Sequence, residues 1–264
     1  MAVALVVAAG SGERLGAGGP KALVPVAGRP MWEWSVAALS ACPEVSAIVL
    51  ALPADHVEAC RLPPGVTAVP GGVARSASVA AALAAAPPGD PVIVHDAARP
   101  LLTPALITSV LVAWAQTGAD AVIAALPVTD TIKRVPVGET RVTATLPRVE
   151  LWAVQTPQVF GRAALAAALA AAGPEGLAAA TDDAGLIEAA GGTVHVVKGD
   201  PENIKITVPA DLMLAEARLA ARAGAAADVG RTGADAGGRG NAVAGTADAR
   251  TSVAGTSVAG RTGR

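Results

Sequence analysis

Tyrosine is absent from the chain, and the other aromatics are one phenylalanine, Phe160, and four tryptophans. Without Tyr, a dehydrogenase built on a Tyr-Lys pair is excluded. The apolar content of 52% is carried mostly by Ala and Val. Cysteine is nearly absent too. Cys42 and Cys60 are the only thiols, which leaves no disulfide framework and no metal-knuckle spacing, and a reducing cytoplasm is the expected location. No apolar run has the character of a membrane span: the longest uncharged stretch, Pro100 to Ala119, holds two prolines, Gln116 and Gly118, and reads as a helix starting near Pro104. Ala2 to Ala9 has no preceding Lys or Arg and runs into Gly-rich polar sequence, so it reads as a buried first strand, not a signal peptide.

Neither sign of charge dominates, with 20 basic and 22 acidic side chains. Residues 223–264 carry five Arg and three Asp, a net of +2, which leaves the first 222 residues at −4. A mildly acidic body argues against nucleic acid as a partner. The last 42 residues also lack Leu, Ile, Met and aromatics, and repeat TSVAG from Thr251 and Thr256. Such a segment cannot bury enough apolar surface to offset its ordering entropy, so 223–264 is expected to be a disordered tail behind one domain spanning 1–222.

Within 1–222, short β-branched runs alternate with Ala/Leu-rich segments. That alternation predicts an α/β fold with a mainly parallel, Rossmann-like sheet and helices on both faces. The expected strands are 2–9, 46–52, 66–69, 91–95, 119–125, 153–155 and 193–197. The expected helices are 31–41, 75–86, 104–117, 162–172, 182–190 and 210–222. Thr131 to Val149 breaks the rhythm: apolar and polar residues alternate around Pro136-Val137-Gly138-Glu139, which predicts a projecting β-hairpin arm. An exposed hairpin of that length needs a cover, and a partner subunit would supply it.

In open α/β sheets ligands bind beyond the carboxyl ends of the strands, and three such ends are unusual here. The first strand is followed by Ala8-Ala9-Gly10-Ser11-Gly12-Glu13-Arg14, then Gly16 to Gly19 and Pro20-Lys21. Glycines permit close backbone approach and free N–H groups that cradle phosphates, and Arg14 and Lys21 can neutralise them. The loop is not a dinucleotide fingerprint, because its third glycine comes one position late. Nor is it a Walker A loop, because Lys21 follows Pro20 and precedes Ala22. The fourth strand ends His95-Asp96-Ala97-Ala98-Arg99-Pro100, where Asp96 is placed to hold Mg²⁺ together with substrate phosphates and His95 reads as structural. Near the end of the domain, Asn203-Ile204-Lys205-Ile206-Thr207 sets Lys205 between two apolar residues that direct it inward.

These three segments in this order resemble the 2-C-methyl-D-erythritol 4-phosphate cytidylyltransferases, over roughly residues 2–222. Asp130-Thr131-Ile132-Lys133 and Trp152-Ala153-Val154-Gln155-Thr156-Pro157-Gln158 fit the same family. The resemblance implies nucleotide contacts from Ala8, Ala9, Gly10, Gly12, Gly72 and Ser78, with Asp96 binding Mg²⁺ or another divalent cation and Ala97 beside it. It implies Arg14, Lys21 and Lys205 as the catalytic cations, and Arg99 and Thr181 on the methylerythritol phosphate side. Thr131 and Arg148, at the feet of the arm, would bind the substrate phosphate of the neighbouring subunit in a homodimer. One departure is Val73, where family members often carry an acidic residue.

The implied reaction joins CTP to a polyol phosphate in isoprenoid precursor synthesis. The attacking phosphate is already an anion, so no general base or covalent enzyme intermediate is needed, and the obstacle is bringing two anions together. Two other readings stay open: a cytidylyltransferase acting on ribitol 5-phosphate, and a non-catalytic nucleotide-binding protein on the same fold.

Overall fold

The structure, a computed structural model, describes residues 1–16 and 18–236. In chain order the elements are β1 (Ala2–Val7), β2 (Pro25–Val26), β3 (Arg29–Pro30), α1 (Met31–Ser40), β4 (Val45–Leu52), β5 (Val66–Pro70), α2 (Arg75–Ala85), β6 (Val92–Asp96), α3 (Pro104–Thr117), β7 (Ala121–Pro127), β8 (Lys133–Arg134), β9 (Ala144–Thr145), β10 (Trp152–Phe160), α4 (Arg162–Ala179), α5 (Ala184–Ala189), β11 (Val194–Lys198) and α6 (Pro209–Ala236). Seven strands form one sheet in the order β11-β7-β10-β6-β1-β4-β5. Every pairing in it is parallel except those of β10, which runs antiparallel to both β6 and β7.

Strand alternation divides the apolar side chains between two cores. In β1, Ala4 and Val6 face a layer with Trp32, Val36 and Leu39 of α1 and Ile107 and Val110 of α3. Val3 and Leu5 face the opposite layer, with Val79 and Leu83 of α2 and Leu165 and Leu169 of α4. A third cluster joins Leu15, Met31, Leu101 and Ile206 to Ala215 and Leu219 of α6. Thr103 caps α3 as its position before Pro104 suggests, accepting from the Leu106 N–H at 3.3 Å. Among the described residues, no helix is long and apolar enough to cross a membrane.

The arm is a hairpin with short pairing. Lys133 stands opposite Thr145, and Arg134 opposite Ala144. Its tip turns at Gly138 with φ of 80°, and Val137, Val142 and Val149 are exposed along it.

Several boundaries differ from the sequence-based expectation. β10 extends through Pro157, where a break was expected after Gln155. It pairs with β7 on both sides of that proline, with a register shift between Val154 and Gln158. α4 continues past Gly173, whose non-helical backbone (φ 60°, ψ −178°) absorbs the break before Pro174. α5 begins at Ala184, two residues later than expected, and Asp182 accepts the Gly185 N–H at 3.0 Å. The largest difference is at the end of the domain. Contacts divide the chain after Arg222, but helical backbone continues to Ala236 where a disordered tail was expected, in keeping with the high helix propensity of its alanines. Residues 237–264, the rest of that expected tail, lie outside the described residues.

Candidate active site

The sheet order puts β1 between β4 on one side and β6 on the other, a topological switch point, and ligands bind where strand order reverses. Beyond the carboxyl ends of β1 and β6 lies a cavity of about 480 Å³. Its wall contains Ala8, Ala9 and Gly10 after β1, Lys21 from the glycine-rich loop, Gly72 and Ser78 around the start of α2, and Asp96 and Ala97 after β6.

Local geometry explains the glycines. Gly12 has φ of 74°, and a Cβ there would stand 2.7 Å from the Lys21 Cβ, so glycine lets the loop fold back and bring Lys21 against its own start. The Lys21 N–H donates to the Gly10 carbonyl at 3.2 Å. At Gly72 a Cβ would meet the Ala77 Cβ at 2.6 Å. The Gly72 N–H donates to Ser78 Oγ at 3.1 Å, and that hydroxyl donates to the Ala74 carbonyl at 3.1 Å, fixing the loop on the first turn of α2.

A second cavity, of about 320 Å³, lies on the other side of Asp96 and includes Arg99, Thr156, Gln158, Thr181 and Asp182. Three residues line both cavities: Arg75, Asp96 and Lys205. Lys205 Nζ donates to Asp96 Oδ2 at 2.6 Å and Arg75 Nε to Oδ1 at 2.9 Å. Arg75 Nη1 is also ion-paired with Asp183, whose side chain is fully buried. Burial disfavours the charge on Asp96, but Arg75 and Lys205 more than offset it and hold its pKa below the usual carboxylate range. Burial lowers the pKa of Lys21, and the nearby Lys205 and Arg14 lower it further. This concentration of positive charge suits a polyanion.

The surrounding shell is built by hydrogen bonds to backbone. Arg99 is buried and donates to the carbonyls of Asn203 at 2.8 Å and Val154 at 3.2 Å, which ties β10 to the loop that carries Lys205. The Ile206 N–H donates to the Ala98 carbonyl at 2.8 Å with Ile206 fully buried, so the backbone around Lys205 is anchored on both sides. His95 lies between Thr156 Oγ1 and the Arg99 carbonyl, and burial pushes its pKa down to about 4. A neutral, fully enclosed imidazole is structural, as its position suggested.

Of the residues singled out from the sequence, Ala8, Ala9, Gly10, Lys21, Gly72, Ser78, Asp96, Ala97 and Lys205 line the first cavity, and Arg99 and Thr181 line the second with Asp96 and Lys205. Gly12 shapes the loop from behind. Arg14 is exposed and stands outside the cavity wall, close enough to Lys21 to affect its charge. Thr131 and Arg148 line neither cavity in this chain; both are exposed, and Arg148 Nη1 donates to the Thr129 carbonyl at 2.7 Å. Sequence reasoning missed Arg75 and Asp183. Arg75 is the sole charge between Gly71 and Gly89 and closely follows the paired glycines, a signal that could have marked it.

A glycine-rich, cation-bearing loop facing an acidic strand end across a switch point defines an α/β nucleotidyltransferase. The family model described as 2-C-methyl-D-erythritol 4-phosphate cytidylyltransferase matches residues 2–221. The chain is 50% identical over 225 residues to the protein of that name from Nocardia farcinica, covering 84% of this chain and 95% of that one. It is also 50% identical over 216 residues to that of Deinococcus radiodurans, covering 81% and 88%. Among solved structures, the enzyme of the same name from Thermus thermophilus superimposes with a TM-score of 0.67 at 39% identity, covering 82% of this chain and 98% of that one. The chain belongs to the 2-C-methyl-D-erythritol 4-phosphate cytidylyltransferase family.

Proposed function

We propose that the chain transfers the cytidylyl group of CTP to 2-C-methyl-D-erythritol 4-phosphate, giving 4-diphosphocytidyl-2-C-methyl-D-erythritol and pyrophosphate, a step of isoprenoid precursor synthesis. The observation that carries this reading is the shared wall: Arg75, Asp96 and Lys205 belong to both cavities, so a nucleotide in the first and a polyol phosphate in the second would meet there.

In this reading the loop from Gly10 to Lys21 receives the triphosphate, with Arg14 and Lys21 balancing its charge, while Gly72 and Ser78 hold the base and ribose side. Arg99 and Thr181 orient the polyol phosphate. An oxygen of that phosphate attacks the α-phosphorus of CTP. A phosphorus–oxygen bond forms as the bond to the β-phosphate breaks, and pyrophosphate leaves with the electron pair. The protein contributes positioning and charge: Lys205 and Lys21 offset the repulsion between two anions and hold an in-line approach.

Asp96 also fits a divalent cation. A carboxylate offers about four lone-pair directions, and Arg75 and Lys205 occupy one each. The described residues contain no group of three or more His, Cys, Asp or Glu that could hold a metal, so Asp96 would be the protein ligand and the triphosphate would supply the rest, as suits Mg²⁺. When bound, the ion neutralises triphosphate charge. The exposed valines of the arm support a homodimer in which Thr131 and Arg148 of one chain serve the site of the other, working in the cytoplasm.

Purified protein, CTP, Mg²⁺ and a panel of polyol phosphates including ribitol 5-phosphate test the reading by pyrophosphate release. Release is expected with methylerythritol phosphate, CTP and a divalent cation together. Equal turnover with ribitol 5-phosphate, equal turnover with ATP or GTP, or full activity in chelator would overturn it.

A further inference from the structure

We infer that Asp183 is a positioning residue: through Arg75 it dictates which oxygen of Asp96 is engaged, and so keeps Lys205 in place on the wall between the two cavities. The inference rests on the proposed reaction only for its kinetic consequences.

Asp183 lines neither cavity and is fully buried, and Arg75 is its one ion-pair partner among the described residues. Together Asp183, Arg75, Asp96 and Lys205 form a chain of alternating charge that sums to zero. A buried ion pair is a poor source of stability, because desolvating two charges costs about as much as their attraction returns. Its geometric effect is larger.

The guanidinium is a rigid planar fork, so anchoring Nη1 on Asp183 sets the direction of Nε, which then reaches only Asp96 Oδ1. Oδ2 remains for Lys205 Nζ. Without the Asp183 charge, the favoured arrangement for Arg75 and Asp96 is the bidentate one, in which two parallel N–H groups take both carboxylate oxygens. Lys205 would then lose its anchor, and its ammonium, at the end of a side chain already 42% exposed, would move away from the wall where the α-phosphorus would be attacked. Gly72 and Ser78, the proposed base and ribose contacts, are held by bonds to each other and to the Ala74 carbonyl, not through Arg75 or Lys205, and would stay in place. An interaction that matters mainly at the reacting centre lowers kcat and leaves substrate binding nearly unchanged.

Asp183→Asn, Arg75→Gln and the double variant test this. The Asn variant is expected to bind CTP within about twofold of wild type by calorimetry and to lose at least about tenfold in kcat. Lys205 should be acylated faster by an amine-reactive reagent, read by mass spectrometry. In the Arg75→Gln background, the same Asp183 change should alter neither kcat nor Lys205 reactivity, since the link it acts through is already cut. Unchanged kcat and Lys205 reactivity in Asp183→Asn, or an equal further loss on top of Arg75→Gln, would overturn the inference. Should Asp183→Asn fail to fold, Arg75→Lys serves in its place: an ammonium cannot take both oxygens of Asp96, so Oδ2 stays with Lys205 and acylation of Lys205 should be no faster than in wild type, and faster acylation would count against the idea. Wild-type protein that releases no pyrophosphate would sink the proposed reaction, while the labelling of Lys205 still decides the positioning role.

Discussion

Lys205 and Asp96 stand 109 positions apart in the chain, yet Lys205 Nζ lies 2.6 Å from Asp96 Oδ2, at the border of two cavities. β6 delivers the carboxylate from the centre of the sheet. The loop before α6 delivers the ammonium, anchored by Ile206 on the Ala98 carbonyl and by Arg99 on the Asn203 carbonyl. Substitutions at this junction and around it have distinct expected outcomes.

Lys21→Ala should slow turnover and leave the fold intact. The Lys21 ammonium forms no ion pair among the described residues, and its charge faces the cavity beside Lys205 and Arg14. Losing one charge-assisted contact costs roughly 1.5–3 kcal/mol, a rate loss of about ten- to hundredfold. Steady-state rates and a melting curve on the same sample decide it, and early melting with a near-normal rate would make Lys21 structural.

Gly72→Ala should weaken CTP binding. The added Cβ would stand 2.6 Å from the Ala77 Cβ and 2.9 Å from the Ala77 carbonyl carbon, part of the helix backbone, so the loop has to give way. Its hydrogen bond to Ser78 Oγ goes with it. Calorimetric titration with CTP should show the loss, and wild-type affinity would mean that the loop shifts without consequence.

Arg162→Ala should do the reverse. Its guanidinium donates to the carbonyls of Leu83, Ala86, Pro87 and Gly89 at the end of α2, and it lines neither cavity. Removing the cap leaves those acceptors to water and should cost about 1–3 kcal/mol, read as a melting temperature lower by several degrees with kcat unchanged. A wild-type melting curve would show that the cap is dispensable.

Arg148→Ala and Lys21→Ala should complement each other across the proposed dimer. Each homodimer is expected to lose at least about tenfold in rate, since in the proposed dimer the Arg148 guanidinium would grip phosphate with a paired fork that alanine cannot offer. In a mixed dimer one site carries both lesions and the other neither, so full subunit exchange should restore about a quarter of wild-type activity. Verified heterodimers without recovery would place Arg148 in its own chain's site.

Much of the molecule was legible in one dimension. β-Branched runs and Ala/Leu segments alternate at spacings that only an α/β sheet satisfies, and α3 runs over the residues its pattern marks, Pro104–Thr117, because Thr103 and Pro104 start it and Gly118 ends it. The glycine-rich loop and Asp96 stood out because strand ends are where open sheets bind ligands, and Gly10, Lys21 and Asp96 line one cavity. β10 was only partly readable: a proline inside a strand reads as an end, and the pairing that carries the strand past Pro157 belongs to its neighbours β6 and β7.

Local sequence therefore determined the elements, the glycine-rich loop and the identity of the charged groups, since periodicity, turn chemistry and side-chain type are properties of a residue and its near neighbours. Tertiary structure alone decided which charges meet. Arg75 looks like the first residue of an ordinary helix and Asp183 like a helix start, and nothing within ten residues of either reveals the other. The sheet order brings them together, placing the start of α2, the end of β6 and the start of α5 around one point where a buried charge must find its opposite.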